Sequence, residues 1–403
     1  MMTKLENMLK YVSEHNDFYK KRIKEYGITN PLDITQWPIL TRRELQENRY
    51  NMFSEGYKSK YFNQQLKRQS SSGSSGMPVN VYWDYKDWYA SNMSLWRKRT
   101  CLYGIKPMDK YAMFTLSAMD VPDVSGNLHY LNEPSNLISF NTSIIKNDFE
   151  YDDIVKHIEI FEPTWLYIQP YVLRKIMQSY VRMQKQPSKS IKYIESVGEV
   201  LDSDLKKQVS ELFRISPTNM YGSEEMNGIA IETSPDLLEI LQDNVYVEVR
   251  DSTGVHKCGN GQSIITNLNN HAMPLIRYCQ DDDIAIERCG RYITLINGRF
   301  VESVDMPGAN FSTILLCDSI ADINNQYKDP ISEYSFKYEK KRNILTVVIK
   351  LKRNTMQKVI VEELYKKILS LLSSKNNECC LSLNIQVSDT IKHIKNHVLV
   401  VGD

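Results

Sequence analysis

The chain has 403 residues, with 50 Lys plus Arg against 49 Asp plus Glu and a net charge of +1. That length suits two domains of unequal size, and the even charge gives neither the basic field of a nucleic-acid binder nor the acidic surplus of a disordered chain. Hydrophobic residues make up 42% and charged residues 25%, near the globular norm. Nowhere are there ~18 consecutive apolar residues to span a bilayer. Glycine is scarce, about 4% against a usual ~7%, so clustered glycines carry weight. The seven cysteines show no CxxC or CxxH spacing, and the only close pair is Cys379-Cys380, which argues against a zinc site or a disulfide framework. The N-terminus, MMTKLENMLKYVSEHNDFYKKRIKEYG, is charged throughout and lacks an apolar h-region. The expectation is a soluble, cytoplasmic protein with no nucleic-acid or membrane partner.

In chain order, Leu5, Met8, Leu9 and Val12, then Phe18, Tyr19 and Ile23, fall at near-helical spacing and stop at Gly27, which predicts helices there. Thr41 with Glu44 three residues on reads as a capping box opening a helix. From Ser70 to Gly76 the chain becomes SSSGSSG, its one low-complexity segment. VNVYWD (79–84) then alternates as a strand, and Trp88 to Tyr103 reads as a helix. Residues 152–161 and 170–184 have helical period, while Trp165–Ile168 and Ile191–Val197 are short apolar runs. Strands alternating with helices predict an α/β core. Val245 to Asn267 reads as two strands around turn residues. The last ~100 residues, delimited by pattern alone, hold a strand at Leu345–Leu351 and a helix from about Gln357 to Leu372 and predict a separate α+β lobe.

Four segments offer chemistry, each with a plainer alternative. The Ser/Gly loop lacks the Gly-Lys-Ser/Thr of a Walker A motif. It reads either as a flexible linker or as a nest of backbone N–H groups and hydroxyls around phosphates. Tyr221-Gly222-Ser223-Glu224-Glu225 is either an acidic helix start capped by Ser223 or a carboxylate site for Mg²⁺. Asp281-Asp282-Asp283 is either a solvated turn or a pair of acceptors for ribose hydroxyls. Arg299, after Gly298, is either a surface ion-pairing residue or a phosphate ligand.

Taken together and in order, these segments resemble the adenylate-forming (acyl-CoA synthetase-like) superfamily, in its phenylacetate-CoA ligase and capsular-polysaccharide biosynthesis-type branch. SSGSSGMPVNVYWD (71–84) resembles that family's TSGSTGxP phosphate loop and following strand. SVGEVLDSDLKKQV (196–209) is similar to its SGExL segment and NMYGSEEMNGIA (219–230) to its YGSTE motif. VYVEVRDSTG and GQSIITNLNNHAMPLIRY, within 245–278, resemble its YVEVLDxxG and TNLxNxAMPLIRY run. HNDFYKKRIKEYGI and WPILTRREL, within 15–45, resemble its N-terminal FYRK and LPxLTKxDL segments.

The resemblance covers about 15–315 and implies an α/β (α+β overall) fold. A large N-terminal adenylation (AMP-binding) domain, residues 1–297, with helices packed on β-sheets, precedes a small α+β C-terminal lid domain, residues 298–403. It implies that Ser71, Ser72, Gly73, Ser74, Ser75 and Gly76 cradle the β,γ-phosphates of ATP. Gly198 and Glu199 would line the adenine pocket, with Tyr221 and Gly222 near adenine and acyl group and Ser223 also among the nucleotide-binding residues. Glu225 would hold Mg²⁺, Asp282 the ribose hydroxyls, and Arg299 ribose or phosphate. The implied activity is that of a ligase that uses ATP and Mg²⁺ to activate a carboxylic acid, aromatic or amino, as an acyl-adenylate. The acyl group then passes to a thiol or amine: coenzyme A, the phosphopantetheine of an acyl carrier protein, or an amine substrate. A homodimer is compatible with the resemblance.

The sequence also departs from the family pattern. The family's Gly-Asp reads Asp281-Asp282, which leaves Asp282 or Asp283 as the ribose ligand, and the Asp-Asp pair after Gly298-Arg299 reads Val301-Glu302. The terminal lysine segment has no clean counterpart in SDTIKHIKNHVLVVGD, where Lys392 and Lys395 are the candidates. The alternative to a complete enzyme is a degenerate, noncatalytic member that binds nucleotide or acid, or acts as a scaffold.

Overall fold

The structure, a computed structural model, describes residues 2–70, 79–115, 128–142, 145, 149–199, 201, 203–288, 290–299, 303–306, 309–327, 330–352, 356–375, 382–389 and 398–401. It divides into two compact units, residues 1–296 and 297–403. The first opens with helices α1 (Lys4–His15), α2 (Asp17–Glu25), α3 (Arg42–Glu47) and α4 (Tyr57–Phe62). Strands β1 (Lys67–Ser70) and β2 (Asn80–Trp83) follow, then helix α5 (Tyr85–Tyr103). Next come β3 (Tyr111–Thr115), β4 (His129–Asn132), β5 (Leu137–Asn141), α6 (Glu150–Phe161), β6 (Trp165–Ile168), α7 (Pro170–Arg182), β7 (Tyr193–Val197) and α8 (Ser203–Phe213). The unit closes with β8 (Thr218–Ser223), β9 (Asn227–Ser234), β10 (Leu237–Ile240), β11 (Val245–Asp251), β12 (Gly254–His256), β13 (Gly259–Asn267), β14 (Tyr278–Glu287) and β15 (Tyr292–Arg299).

Thirteen of the described strands form one sheet in the order β12-β11-β13-β14-β15-β10-β9-β8-β7-β6-β3-β5-β4. From β5 through β3, β6 and β7 to β8 the pairing is parallel; at β8–β9 it turns antiparallel. A parallel sheet needs both faces covered, and the sequence supplies the cover. On one face α6, α7 and α8 turn Ile154, Ile158, Leu173, Ile176, Leu205 and Val209 onto Phe114, Phe140, Leu166 and Ile194. On the other, α5 places Leu95 against Val197, Met220 and Ile231. An ion pair is buried on that second face: Arg99 donates to both oxygens of Glu195 at 2.8 and 2.5 Å, and the Tyr193 hydroxyl adds a third bond at 2.9 Å.

The antiparallel half packs against α1 and α2 through Met8, Leu9, Val12 and Tyr19. The capping box expected at Thr41 and Glu44 forms at the start of α3. Between Val245 and Asn267 three strands form rather than two, because Gly254–His256 folds back as a short strand on β11. Asp251 caps that turn, accepting from the Thr253 hydroxyl and from the backbone N–H groups of Thr253 and Gly254, and these bonds, the hydroxyl's above all, lower its carboxyl pKa to about 2.

The second unit contains β16 (Ser303–Met306), β17 (Ala309–Ser312), α9 (Thr313–Tyr327), β18 (Ile331–Glu339), β19 (Ile344–Leu351), α10 (Gln357–Lys375), β20 (Ser382–Val387) and β21 (Val398–Val401). A four-stranded sheet, β20-β19-β18-β21, is antiparallel only at its centre. Leu345, Val347 and Ile349 alternate onto one face, where α9 and α10 bury Leu316, Ile320, Ile360, Leu364 and Ile368.

Candidate active site

In an open sheet with parallel strands, ligands bind beyond the carboxyl ends of the strands. β8 is the last parallel strand before the antiparallel half, and it carries Tyr221, Gly222 and Ser223 at its carboxyl end. Beside it, β7 is followed by Gly198, whose φ of +79° is a left-handed conformation that a side chain would strain. Glu199 follows and accepts a hydrogen bond from the Tyr171 backbone N–H at 3.2 Å. It thereby caps the first turn of α7, which has no side-chain cap of its own.

Glu224 and Glu225 do not begin a helix. They form the turn of the β8–β9 hairpin, and Ser223 pairs with Asn227. Gly222 is the residue that this turn requires: a Cβ there would lie 2.6 Å from the Asn227 carbonyl oxygen and 3.2 Å from Met220 Sδ. Gly222→Ala should therefore destabilise the chain by about 1–3 kcal/mol through overpacking against backbone. Denaturant unfolding followed by fluorescence checks this, and an unchanged midpoint would show that the turn relaxes.

The three aspartates do not form a turn either. They lie within β14, at a bulge where the register against β13 slips between Gln262↔Asp283 and Ile264↔Cys279. The bulge re-aims side chains. Asp282 is buried and receives the Tyr221 hydroxyl at 2.6 Å and the Gln280 amide at 3.1 Å, while Ser223 donates to Gln280 at 3.2 Å. Since β15, β10 and β9 separate β14 from β8 in the sheet order, these bonds mean that the antiparallel half curls back over the carboxyl end of β8.

Glu225 lies under the same curl with 1% of its surface exposed. Its Oε1 is 3.4 Å from the Tyr278 hydroxyl and 4.0 Å from Arg42 Nη1, and its Oε2 is buried with no hydrogen-bond partner. A buried carboxylate with one long hydrogen bond and one loose cation is undercompensated. A hard divalent cation seeks that kind of oxygen, so Glu225 fits the Mg²⁺ that the sequence resemblance implies.

The Ser/Gly loop itself, Ser71 through Gly76, lies outside the described residues, but its roots do not. Ser70 pairs with Asn80 in the antiparallel β1–β2 hairpin, so the loop closes a hairpin and is not a linker between domains. Gln69, just before it, donates to Glu224 at 3.0 Å and to Asn227 at 3.1 Å. The root of the loop therefore stands against the β8–β9 turn. Lys392 and Lys395 lie outside the described residues, as does the side chain of Arg299, whose backbone ends β15.

Four residues at this site carry no assigned role in the sequence reading: Arg42, Gln69, Tyr278 and Gln280. Gln280 lies beside the aspartates and Gln69 precedes the serines, while Tyr278 ends the MPLIRY run and Arg42 stands within WPILTRREL, both segments that resemble the family pattern. Within the MPLIRY run, Pro274 to Arg277 make structural bonds. Arg277 forms a two-bonded ion pair with Glu248, both distances 3.0 Å, and donates to the carbonyls of Thr35 and Trp37. Burial pushes the Glu248 carboxyl up, and the Arg277 guanidinium pulls against that. Tyr19 fixes the same run, donating to the Pro274 carbonyl at 2.9 Å and accepting from the Ile276 N–H at 3.0 Å.

No protein-family model matches the sequence, and no curated protein matches it. Solved structures do. A 2-hydroxyisobutyryl-CoA ligase in its postadenylation state, complexed with R3-HIB-AMP, superposes with a TM-score of 0.73 at 16% identity, covering 99% of this chain and 88% of that one. The anthranilate-CoA ligase AuaEII in complex with anthranoyl-AMP matches with a TM-score of 0.55 at 15% identity, over 81% of this chain and 64% of that one. ATP-bound MatB from Rhodopseudomonas palustris matches with a TM-score of 0.53 at 13% identity, over 82% and 66%. The fold is that of adenylate-forming acyl-CoA ligases. Among the described residues no helix is long and apolar enough to cross a membrane.

Proposed function

We propose that the chain is an adenylate-forming ligase that activates a carboxylic acid with ATP and passes the acyl group to a thiol or amine. The observation that supports this best is the convergence of the loop root at Gln69, the Tyr221–Asp282 bond and the undercompensated Glu225 at the carboxyl end of β8 in a ligase-type sheet.

In this reading the acid's carboxylate oxygen attacks the α-phosphorus; the new P–O bond forms as the bond to the β-phosphate oxygen breaks, and pyrophosphate leaves. Thiol or amine attack on the acyl carbon then expels AMP and gives the thioester or amide. Asp282, oriented by Tyr221 and Gln280, accepts the ribose hydroxyls and fixes the nucleotide's rotation; such positioning lowers the barrier by supplying orientation in advance. The serine and glycine loop holds the phosphates through backbone N–H groups and hydroxyls. Glu225 would hold the divalent metal, whose chemistry when bound is neutralisation of phosphate charge. Arg299, Lys392 and Lys395 are the proposed cations from the end of the chain, with Gly198 and Glu199 walling the adenine. The large unit serves as the AMP-binding domain and the small one as its lid. The phenylacetate-CoA ligase-like branch, an aromatic or amino acid as substrate, coenzyme A or a carrier-protein phosphopantetheine as acceptor, and a cytoplasmic homodimer complete the proposal.

ATP–pyrophosphate exchange across a panel of aromatic, hydroxy and amino acids tests it, with acid-dependent exchange for at least one acid expected. Absence of both exchange and ATP binding would refute it; ATP binding without exchange would leave the noncatalytic binding member as the function.

A further inference from the structure

Arg42 is held in place more firmly than its loose contact with Glu225 suggests. Two residues before it, Leu40 is bonded to β14 on both sides: its N–H donates to the Arg277 carbonyl and its carbonyl accepts from the Cys279 N–H, each at 2.9 Å. Between those two anchors stands Tyr278, whose hydroxyl reaches Glu225. The Thr41–Glu44 capping box sets the first turn of α3, and Arg22 fastens Glu44 from α2 at 2.6 Å. The backbone of Arg42 is thus fixed to the strand that carries Asp282, and its guanidinium, with 14% of the side chain exposed, comes to 4.0 Å from Glu225 Oε1. That distance is too long for a hydrogen bond and close enough for charge compensation between a buried carboxylate and a mostly buried guanidinium.

We propose that Arg42 is the built-in counter-ion of Glu225, and that a divalent metal and the Arg42–Glu225 pair exclude each other. This rests on the reading of Glu225 as the metal-holding carboxylate. A second cation arriving at the buried Glu225 meets the arginine's charge at short range, and one carboxylate cannot compensate both. Metal entry therefore requires the guanidinium to withdraw, and metal affinity is set below what Glu225 alone would give. While no metal is present, the arginine keeps a buried carboxylate from standing uncompensated.

The test is Mn²⁺ titration of the full chain without nucleotide, followed by electron paramagnetic resonance, for the wild type, Arg42→Gln, Arg42→Lys and Glu225→Gln. Arg42→Gln should bind Mn²⁺ about tenfold more tightly, the order expected from removing one charge a few ångströms away. Arg42→Lys, which keeps the charge, should stay within about twofold of wild type by the same reasoning. Glu225→Gln should lose the site, and adding Arg42→Gln to it should restore nothing. If Glu225→Gln weakens Mn²⁺ binding while Arg42→Gln leaves it unchanged or weaker, the counter-ion inference alone is overturned. If Glu225→Gln leaves binding unchanged, or the wild type and Arg42→Gln both lack a Glu225-dependent site, the metal reading of Glu225 falls with it.

Discussion

Replacing Glu225 by Gln is expected to lower ATP–pyrophosphate exchange by about 100-fold or more, the usual cost of removing one preorganised charge from a catalytic site, while the folded state stays as stable or gains stability. The two effects point in opposite directions, which makes the variant informative. A carboxylate kept for structure has its oxygens satisfied, as Glu195 and Glu248 do, and losing its charge destabilises the fold. Glu225 has one long hydrogen bond, one arginine at 4.0 Å and an oxygen with no hydrogen-bond partner. Neutralising it removes a burial cost that the Arg42 charge offsets only in part. Thermal unfolding and exchange measured on the same preparation decide the matter; a variant that melts earlier yet exchanges normally would assign Glu225 to the fold.

The largest stability effect is expected at Arg277. Truncation to Ala leaves Glu248 buried without its partner and two backbone carbonyls without a donor, a loss of about 3–5 kcal/mol by analogy with other broken buried pairs. All five tryptophans (Trp37, Trp83, Trp88, Trp96 and Trp165) precede residue 297, so tryptophan fluorescence in a urea titration reports the first unit alone. A midpoint close to wild type would show that water enters and takes over the arginine's bonds. Because Arg277 is followed by Tyr278 and by the bulge carrying Asp282, the variant should also weaken nucleotide binding without touching the ligand.

Much of this fold is legible in the sequence because its signals are local. The capping box at Thr41, the alternation in VNVYWD and the helical period of residues 152–161 and 170–184 each name an element, and the structure forms each of them. Where local signals had two readings, long-range pairing decided. Ser223-Glu224-Glu225 has the composition of a helix start, but β9 pairs with β8 and makes it a hairpin turn. Three successive aspartates look like a solvated turn, but β13 and the Tyr221 hydroxyl hold them in a strand. The SSSGSSG run looks like a linker until Ser70 is seen to pair with Asn80. Arg42 stands in the WPILTRREL segment, but its approach to Glu225 is not legible there, since it comes from Leu40 docking on β14 more than 200 residues away.

The central claim, that this chain forms acyl-adenylates, is tested most directly by looking for the intermediate. Incubation with ATP, Mg²⁺ and each acid of the panel, quenched and examined by mass spectrometry, should yield an enzyme-dependent acyl-AMP for at least one acid, with equimolar pyrophosphate, and none from Glu225→Gln. Nucleotide bound and returned as intact ATP with every acid, by a protein shown to be folded, would contradict it.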